Sequence, residues 1–247
     1  MKMERLKAFR ALLSREQPLL PILMYHHIAE RPAGAAMADL YVSPKEFESQ
    51  LSEFKRLGFR SVDLANLNGQ DLPRRPIALT FDDGYVDFFT NALPLLRSYG
   101  FHATVFAVPG HIAGVNAWDR GNGPEERLMD QEELRTCQRQ GCEIGAHTCS
   151  HPDLRKCDLN AARREIADSK TILEELLDRN VEAFCYPYGG FTEPIVQIVR
   201  ESGYSCACTT EPGLNTSAAD RYTLRRVNCK PNSGAVRWLV RAIALRT

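Results

Sequence analysis

Neither sign of charge is in excess in these 247 residues: 31 Lys and Arg face 31 Asp and Glu. A dedicated nucleic-acid binder needs a basic face, so that class loses support and no nucleic-acid partner is expected. No apolar run is long enough for a transmembrane helix. Residues 1–20 lack the apolar core of a secretory leader, because Arg15 and Glu16 interrupt where it would sit. The eight cysteines include no Cys-x-x-Cys pair, which argues against a zinc ribbon. Several fall in predicted strands or on helix faces, as buried free thiols do. With no leader visible, reduced cysteines and a cytoplasmic location are the simpler expectation. A Gly-x-Gly-x-x-Gly turn is also missing, which disfavours a dinucleotide-binding sheet. No linker or repeat longer than one strand-helix unit occurs, so one domain over residues 21–247 is expected, preceded by a basic extension over residues 1–20.

The overall balance conceals two basic ends. Lys2, Arg5, Lys7, Arg10 and Arg15 are interspersed with Leu6, Phe9, Leu12 and Leu13, and Arg237, Arg241 and Arg246 alternate with Trp238, Leu239, Val240, Ile243 and Leu245. Either can dock on its own domain or lie on an anionic membrane. The second alternative would make the protein peripheral to the inner membrane face.

Between the ends, strands and helices alternate. Predicted strands are Pro21–Tyr25, Ile77–Phe81, His102–Val108, Cys142–Ala146, Val181–Tyr186, Tyr204–Thr209 and Leu224–Cys229, with Phe59–Val62 a candidate for a short additional one. Ser43-Pro44-Lys45-Glu46 and Asp130-Gln131-Glu132-Glu133 are helix starts, with a capping side chain and a Glu three residues on. Further helices are predicted near Thr90–Ser98, over Asn160–Asn180 with Ile166, Ile172, Leu173, Leu176 and Leu177 inward, and over Glu193–Ser202. Ile28–Leu40 and Gly110–Gly123 read as loops, with Trp118 and Asp119 part of a pocket wall. About seven strands alternating with about six helices means parallel strands joined by helical crossovers, an α/β fold. The period alone does not separate a closed barrel from an open sheet.

Chemistry gathers where strands end. Ile77–Phe81 stops at Asp82-Asp83-Gly84; side chains alternate along an extended chain, so the two carboxylates cannot do the same job. One suits a cation, the other a proton from water. Taken alone, the stretch also fits an Asp-Gly turn. His147 and His151, four apart, can meet one cation, and with Asp83 they make a two-histidine, one-carboxylate set with open positions, most often a zinc site. His26, Asp82-Asp83, His147 and Tyr186-Pro187-Tyr188 all fall at strand C-terminal ends, which share one face in a parallel barrel.

Thr80-Phe81-Asp82-Asp83-Gly84-Tyr85 together with His147-Thr148-x-x-His151 resembles the polysaccharide deacetylase family, carbohydrate esterase family 4 with the NodB-homology domain. Phe184-x-Tyr186-Pro187-Tyr188-Gly189 is similar to its third motif. Leu23-Met24-Tyr25-His26-His27-Ile28 resembles the branch containing poly-N-acetylglucosamine deacetylases. The similarity spans about Pro21 to Cys229. It implies a distorted (β/α) barrel of about seven parallel strands and removal of acetyl groups from sugars. It also implies a divalent metal, most simply Zn2+ with Co2+ or Ni2+ as alternatives. Carried over, Asp82 is the general base, Asp83, His147 and His151 hold the metal, and the Tyr188 backbone N–H serves the oxyanion. Two departures stand out. Cys185 occupies the place of the family's base-orienting arginine, for which Arg225 or Arg226 are substitutes. No histidine follows His151 to act as late general acid, which points to His26, with His27 second. Tyr186, Trp118 and His27 are expected at the substrate, and Tyr188 and Phe191 as further stacking surfaces. His102 is expected to pack or cap, and His111 is a minor candidate for the cleft. The expected substrate is an N-acetylated amino sugar. The alternatives are a deformylase or deacetylase of a lipid-linked sugar, and a carbohydrate-binding protein with lapsed catalysis.

Overall fold

The apolar run that ends at the paired carboxylates is the strand on which a barrel closes. The computed structural model describes residues 20–245 except 36, 69–71, 122–123, 217 and 232–233. The basic extension up to residue 19 and Arg246 lie outside the described residues; Leu20 bridges to Asn215. The strands are β1 (Ile22–Tyr25), β2 (His27–Ile28), β3 (Tyr41–Val42), β4 (Arg60–Ser61), β5 (Pro76–Phe81), β6 (Thr104–Ala107), β7 (Glu143–Ala146), β8 (Ala183–Cys185), β9 (Cys206–Pro212) and β10 (Leu224–Asn228). Seven of them run β1-β10-β9-β8-β7-β6-β5, and β5 returns to pair with β1, so the sheet is closed. Every pairing is parallel, as strand-helix alternation requires. Short β4 adds to the start of β5 outside the ring.

Six α-helices are present among the described residues: α1 (Pro44–Arg56), α2 (Leu93–Tyr99), α3 (Gln131–Arg139), α4 (Leu159–Leu177), α5 (Glu193–Glu201) and α6 (Ala235–Ala244). Ser43 caps α1 by accepting the Glu46 N–H, with Pro44 in the first turn. The Asp130–Glu133 capping box opens α3 in both directions, at 2.8 and 2.9 Å. The helix expected near Thr90 is entered through a widened π turn at Phe88–Ala92, because Pro94 has no N–H for a regular turn. Ile172, expected inward on α4, is exposed, while Ile166, Leu173 and Leu177 are buried. The segment read as loop from Ile28 begins with β2 and leads into β3; the two pair as a small separate parallel sheet. No helix among the described residues is long and apolar enough to cross a membrane.

Strand alternation divides the core in two. Ile22, Ala78, Phe106, Ala183, Cys185, Cys206, Cys208 and Leu224 fill the barrel interior. Leu23, Tyr25, Leu79, Phe81, Val105, Ile144 and Phe184, on the opposite parity, pack outward beneath the helices. All eight cysteines are free, and Cys185, Cys206 and Cys208 serve as compact interior fillers.

Candidate active site

Parity also selects which polar side chains enter the barrel mouth. Asp82 continues β5, its N–H donating to Tyr25 O at 3.0 Å. That pairing keeps the chain extended, so the carboxylate falls on the same face as Ala78 and Thr80. There it meets Arg226, inward like Leu224 on β10, in a bidentate pair at 2.6 and 2.7 Å. Both side chains are buried. The guanidinium also donates to Thr209 O at 2.8 Å and Thr80 Oγ1 at 3.1 Å, and lies 3.1 Å from Cys185 Sγ. Burial alone would raise the Asp82 carboxyl; the charge and hydrogen bonds of Arg226 outweigh it and hold the group below its usual range. Of the two arginines left open by the sequence, Arg226 therefore contacts the candidate base. Arg225, one residue out of phase, is exposed and faces Glu211.

Asp83 breaks the alternation. Its φ of 73° turns the chain, so its carboxylate reaches the mouth as well. Asp83 Oδ1 lies 3.5 Å from His147 Nε2 and 3.2 Å from His151 Nε2. His147 Nδ1 donates to Cys185 O at 2.7 Å, which leaves the Nε2 lone pair toward Asp83. Burial first, then His151, pushes the His147 imidazole down to about 4, so it is neutral at pH 7. Burial would raise Asp83 too, but His151, His26 and His147 hold it below the usual carboxylate range. Thr148 and His151 adopt φ of 62° and 63°, and the His151 N–H donates to Thr148 Oγ1 at 3.0 Å. Four of the six non-glycine residues with positive φ among the described residues, Asp83, Thr148, His151 and Tyr188, belong to this site. Each such backbone costs about 1–3 kcal/mol and persists only where its surroundings enforce it.

These residues fit a divalent cation. One carboxylate oxygen and two imidazole nitrogens lie within 4.8 Å of one another, and Asp83 Oδ1 is buried with no hydrogen-bond partner. A buried acceptor facing the His147 Nε2 lone pair is costly without a positive centre between them. Asp82, His147 and Cys185 also lie close enough together for a cation. That group is unsuitable, because the Arg226 guanidinium already contacts both Asp82 and Cys185, and burial drives the thiol well above its ordinary pKa.

His26, directly after β1, places Nε2 3.8 Å from Asp82 Oδ2, and burial lowers its imidazole against the opposing pull of Asp82 and Asp83. A cavity of about 250 Å³ opens over the site, lined by His26, Asp82, Asp83, Trp118, Asp119 and Tyr188 among others. Trp118 stacks on His151 with centroids 4.4 Å apart, and Tyr188 meets the same ring edge-on at 4.8 Å. A larger hollow of about 340 Å³ lies at the other end of the barrel, around Asp63, Glu143 and Glu182. It contains none of the strand-end groups, so the smaller cavity is the candidate site.

Two expected substrate residues are elsewhere. His27 has the outward parity: it is buried between Tyr41 and Tyr85, with Nδ1 2.6 Å from Asp87 Oδ2. Tyr186, outward beside inward Cys185, packs on Phe184 and Phe191 and donates its hydroxyl to Tyr222 O. Neither lines the cavity. His102 pairs with Asp63 on the far side, and His111 buttresses Trp118 edge-on.

A family model described as polysaccharide deacetylase matches residues 69–207. The matched segment includes Asp82, Asp83, His147 and His151 but stops short of His26 and Arg226 at either end. The Bacillus subtilis protein YxkH is 28% identical over 227 residues, covering 90% of this chain and 75% of that protein. A poly-beta-1,6-N-acetyl-D-glucosamine N-deacetylase of Staphylococcus epidermidis is 24% identical over 199 residues, covering 75% and 67%. Among solved structures, the Streptococcus pyogenes deacetylase PplD in complex with acetate superposes with a TM-score of 0.78 at 29% identity, over 90% of this chain and 97% of that one. IcaB from Ammonifex degensii shares the fold, with a TM-score of 0.74 at 24% identity over 93% and 98% of the two chains.

Proposed function

This chain belongs to the polysaccharide deacetylase family, and on that premise we propose that it is a metal-dependent hydrolase removing the acetyl group from an N-acetylated amino sugar. The observation that carries this is the separation of the paired carboxylates into two environments. Asp83 faces two histidines, and Asp82 faces an arginine. Asp83, His147 and His151 would hold the cation, with Zn2+ the simplest occupant and Co2+ or Ni2+ alternatives. When bound, it supplies Lewis acidity at the acyl oxygen and makes a water more acidic.

The remaining work falls to the chain's own groups. Asp82, kept ionised by Arg226, takes a proton from the attacking water. Held at low pKa, it is a weak base, and it suits only a water that has been made acidic. The Tyr188 backbone N–H supports the tetrahedral oxygen. His26 gives a proton to the departing amine; burial lowers its imidazole, and the proton that Asp82 takes from the water reloads it through a bridging water across the 3.8 Å between them. Trp118 and Tyr188 supply flat walls for a sugar ring.

The test is acetate release from N-acetylglucosamine oligomers and from lipid-linked amino sugars, first with metal stripped and then with zinc, cobalt or nickel restored. Metal-dependent release is expected from at least one. Undiminished release by rigorously metal-free protein would sink the metal assignment, and no release from any substrate by zinc-loaded protein would sink the acetyl assignment. The lipid-linked arm is included because α6 exposes Trp238 beside Arg237, and Leu245 just after the helix is exposed too.

A further inference from the structure

Beyond the strand-end residues, one charged side chain contacts the metal-site loop and has no role in the chemistry above. Glu165 lies in the second turn of α4. Its Oε2 accepts the Cys149 N–H at 2.8 Å and the Ser150 N–H at 2.9 Å, and its Oε1 accepts the Ser150 hydroxyl at 2.7 Å. Those two amides sit midway between His147 and His151. The same peptide stretch is gripped from the other side, where Cys149 O accepts the Gly110 N–H at 2.9 Å. Gly110 has no side chain because a Cβ there would overlap that carbonyl.

We propose that Glu165 is the positioning residue for the second histidine of the metal site, an assignment that rests on the metal-dependent reading above. Thr148 and His151, the residues flanking the gripped pair, both hold left-handed backbone that side chains other than glycine disfavour. A five-residue loop with two such positions has lower-energy alternatives, and relaxing either would swing His151 away from Asp83. Hydrogen bonding to Thr148 Oγ1 acts within the loop and moves with it. Glu165 and Gly110 anchor the loop to the scaffold, Glu165 from a helix rooted by buried Ala162 and Ile166 and Gly110 from the short 3-10 turn that follows β6. A carboxylate suits the task, since one oxygen can accept two adjacent backbone donors while the other takes the hydroxyl.

The test separates positioning from ordinary structural support. Zinc affinity of stripped protein is measured by chelator competition, with thermal melting of the metal-free form measured alongside. Glu165→Ala is expected to weaken zinc binding roughly tenfold or more, in line with outer partners of metal ligands. Glu165→Gln keeps an oxygen for the two amides and turns its amide toward the Ser150 hydroxyl, which then accepts; binding within about twofold of the parent is expected. Glu165→Asp keeps the charge but shortens the reach and should follow Ala, and it substitutes for Ala if that variant does not fold. Co2+-loaded Ala or Asp variants should show an altered d–d spectrum. Unchanged zinc affinity with a lowered melting temperature would reduce Glu165 to structural support and overturn the assignment. Equal weakening by Gln would show that charge rather than loop placement matters, and would overturn it too. If the parent protein itself binds no zinc, cobalt or nickel, the metal reading falls first and the assignment with it.

Discussion

Replacing Arg226 by Met tests the orientation of Asp82, the proposed base, most directly. The substitution keeps most of the side-chain volume and removes both bonds to Asp82, leaving a buried carboxylate with no ion-pair partner. Breaking a buried pair from one side costs about 3–5 kcal/mol. For a domain of this size that lowers the melting temperature by roughly 6–20 °C at pH 7. The pH dependence has a definite sign. In the parent, Asp82 is held below its unfolded value, so its stabilising contribution is full above the unfolded pKa and is lost as pH falls through the folded one. Without Arg226, burial dominates and the folded pKa rises above the unfolded one. The neutral acid then stabilises at low pH, and that contribution disappears as pH rises. The gap in melting temperature between parent and variant should therefore narrow from pH 7 to pH 4. In turnover, the acid limb of kcat/KM should move to higher pH. A pH-rate profile with zinc-loaded protein, run beside melting curves, checks both. An unmoved acid limb together with an unchanged melting temperature would refute the role given to Arg226. Adding Cys185→Arg should recover part of both losses, because the Cys185 sulfur lies 3.1 Å from the guanidinium being removed.

Asp82→Asn should retain stoichiometric zinc by elemental analysis yet lose about 100-fold or more in kcat, whereas Asp83→Ala should lose the metal itself. A fully active Asp82→Asn protein would end its assignment as base. His26→Ala should lower kcat by about 100-fold with zinc content intact, and an unaltered rate would remove His26 from the reaction. Gly110→Ala should weaken zinc binding without touching any ligand, because its methyl would displace Cys149 O; parental affinity would show that the loop tolerates the shift.

The parallel α/β class was legible because apolar runs stop at Gly or Pro and alternate with capped helices. That Asp83, His147 and His151 could share one cation was legible because they lie within two short motifs, which local backbone turns then direct to one place. The two misplaced substrate residues were legible in principle. His26 shares parity with Ile22 and Met24, so His27 must face outward, and Cys185 shares parity with Ala183, so Tyr186 must. Aromatic and histidine character suggested a sugar contact, and the period-2 rule overrides it. The β2–β3 pair was not legible, since two-residue strands carry no periodic signal.

Arg226 could be narrowed to one of two neighbours from sequence but not chosen, because its contact with Asp82 spans 144 residues and depends on how the sheet closes. β10 pairs with β1, and β1 with β5, so the last strand stands two places from the first-motif strand across the seam that closes the ring. Within that ring the guanidinium bonds to β9 at Thr209 O and to β5 at Thr80, and reaches Asp82. Thr80 in turn donates to Leu23 O on β1. One side chain thus joins barrel closure to the ionisation of Asp82. The candidate metal group needs only β5, β7 and the loop after β7. A barrel opened at the β1–β10 seam would keep Asp83, His147 and His151 together while parting Asp82 from Arg226, so metal binding should survive seam-loosening substitutions at Val227 that abolish turnover.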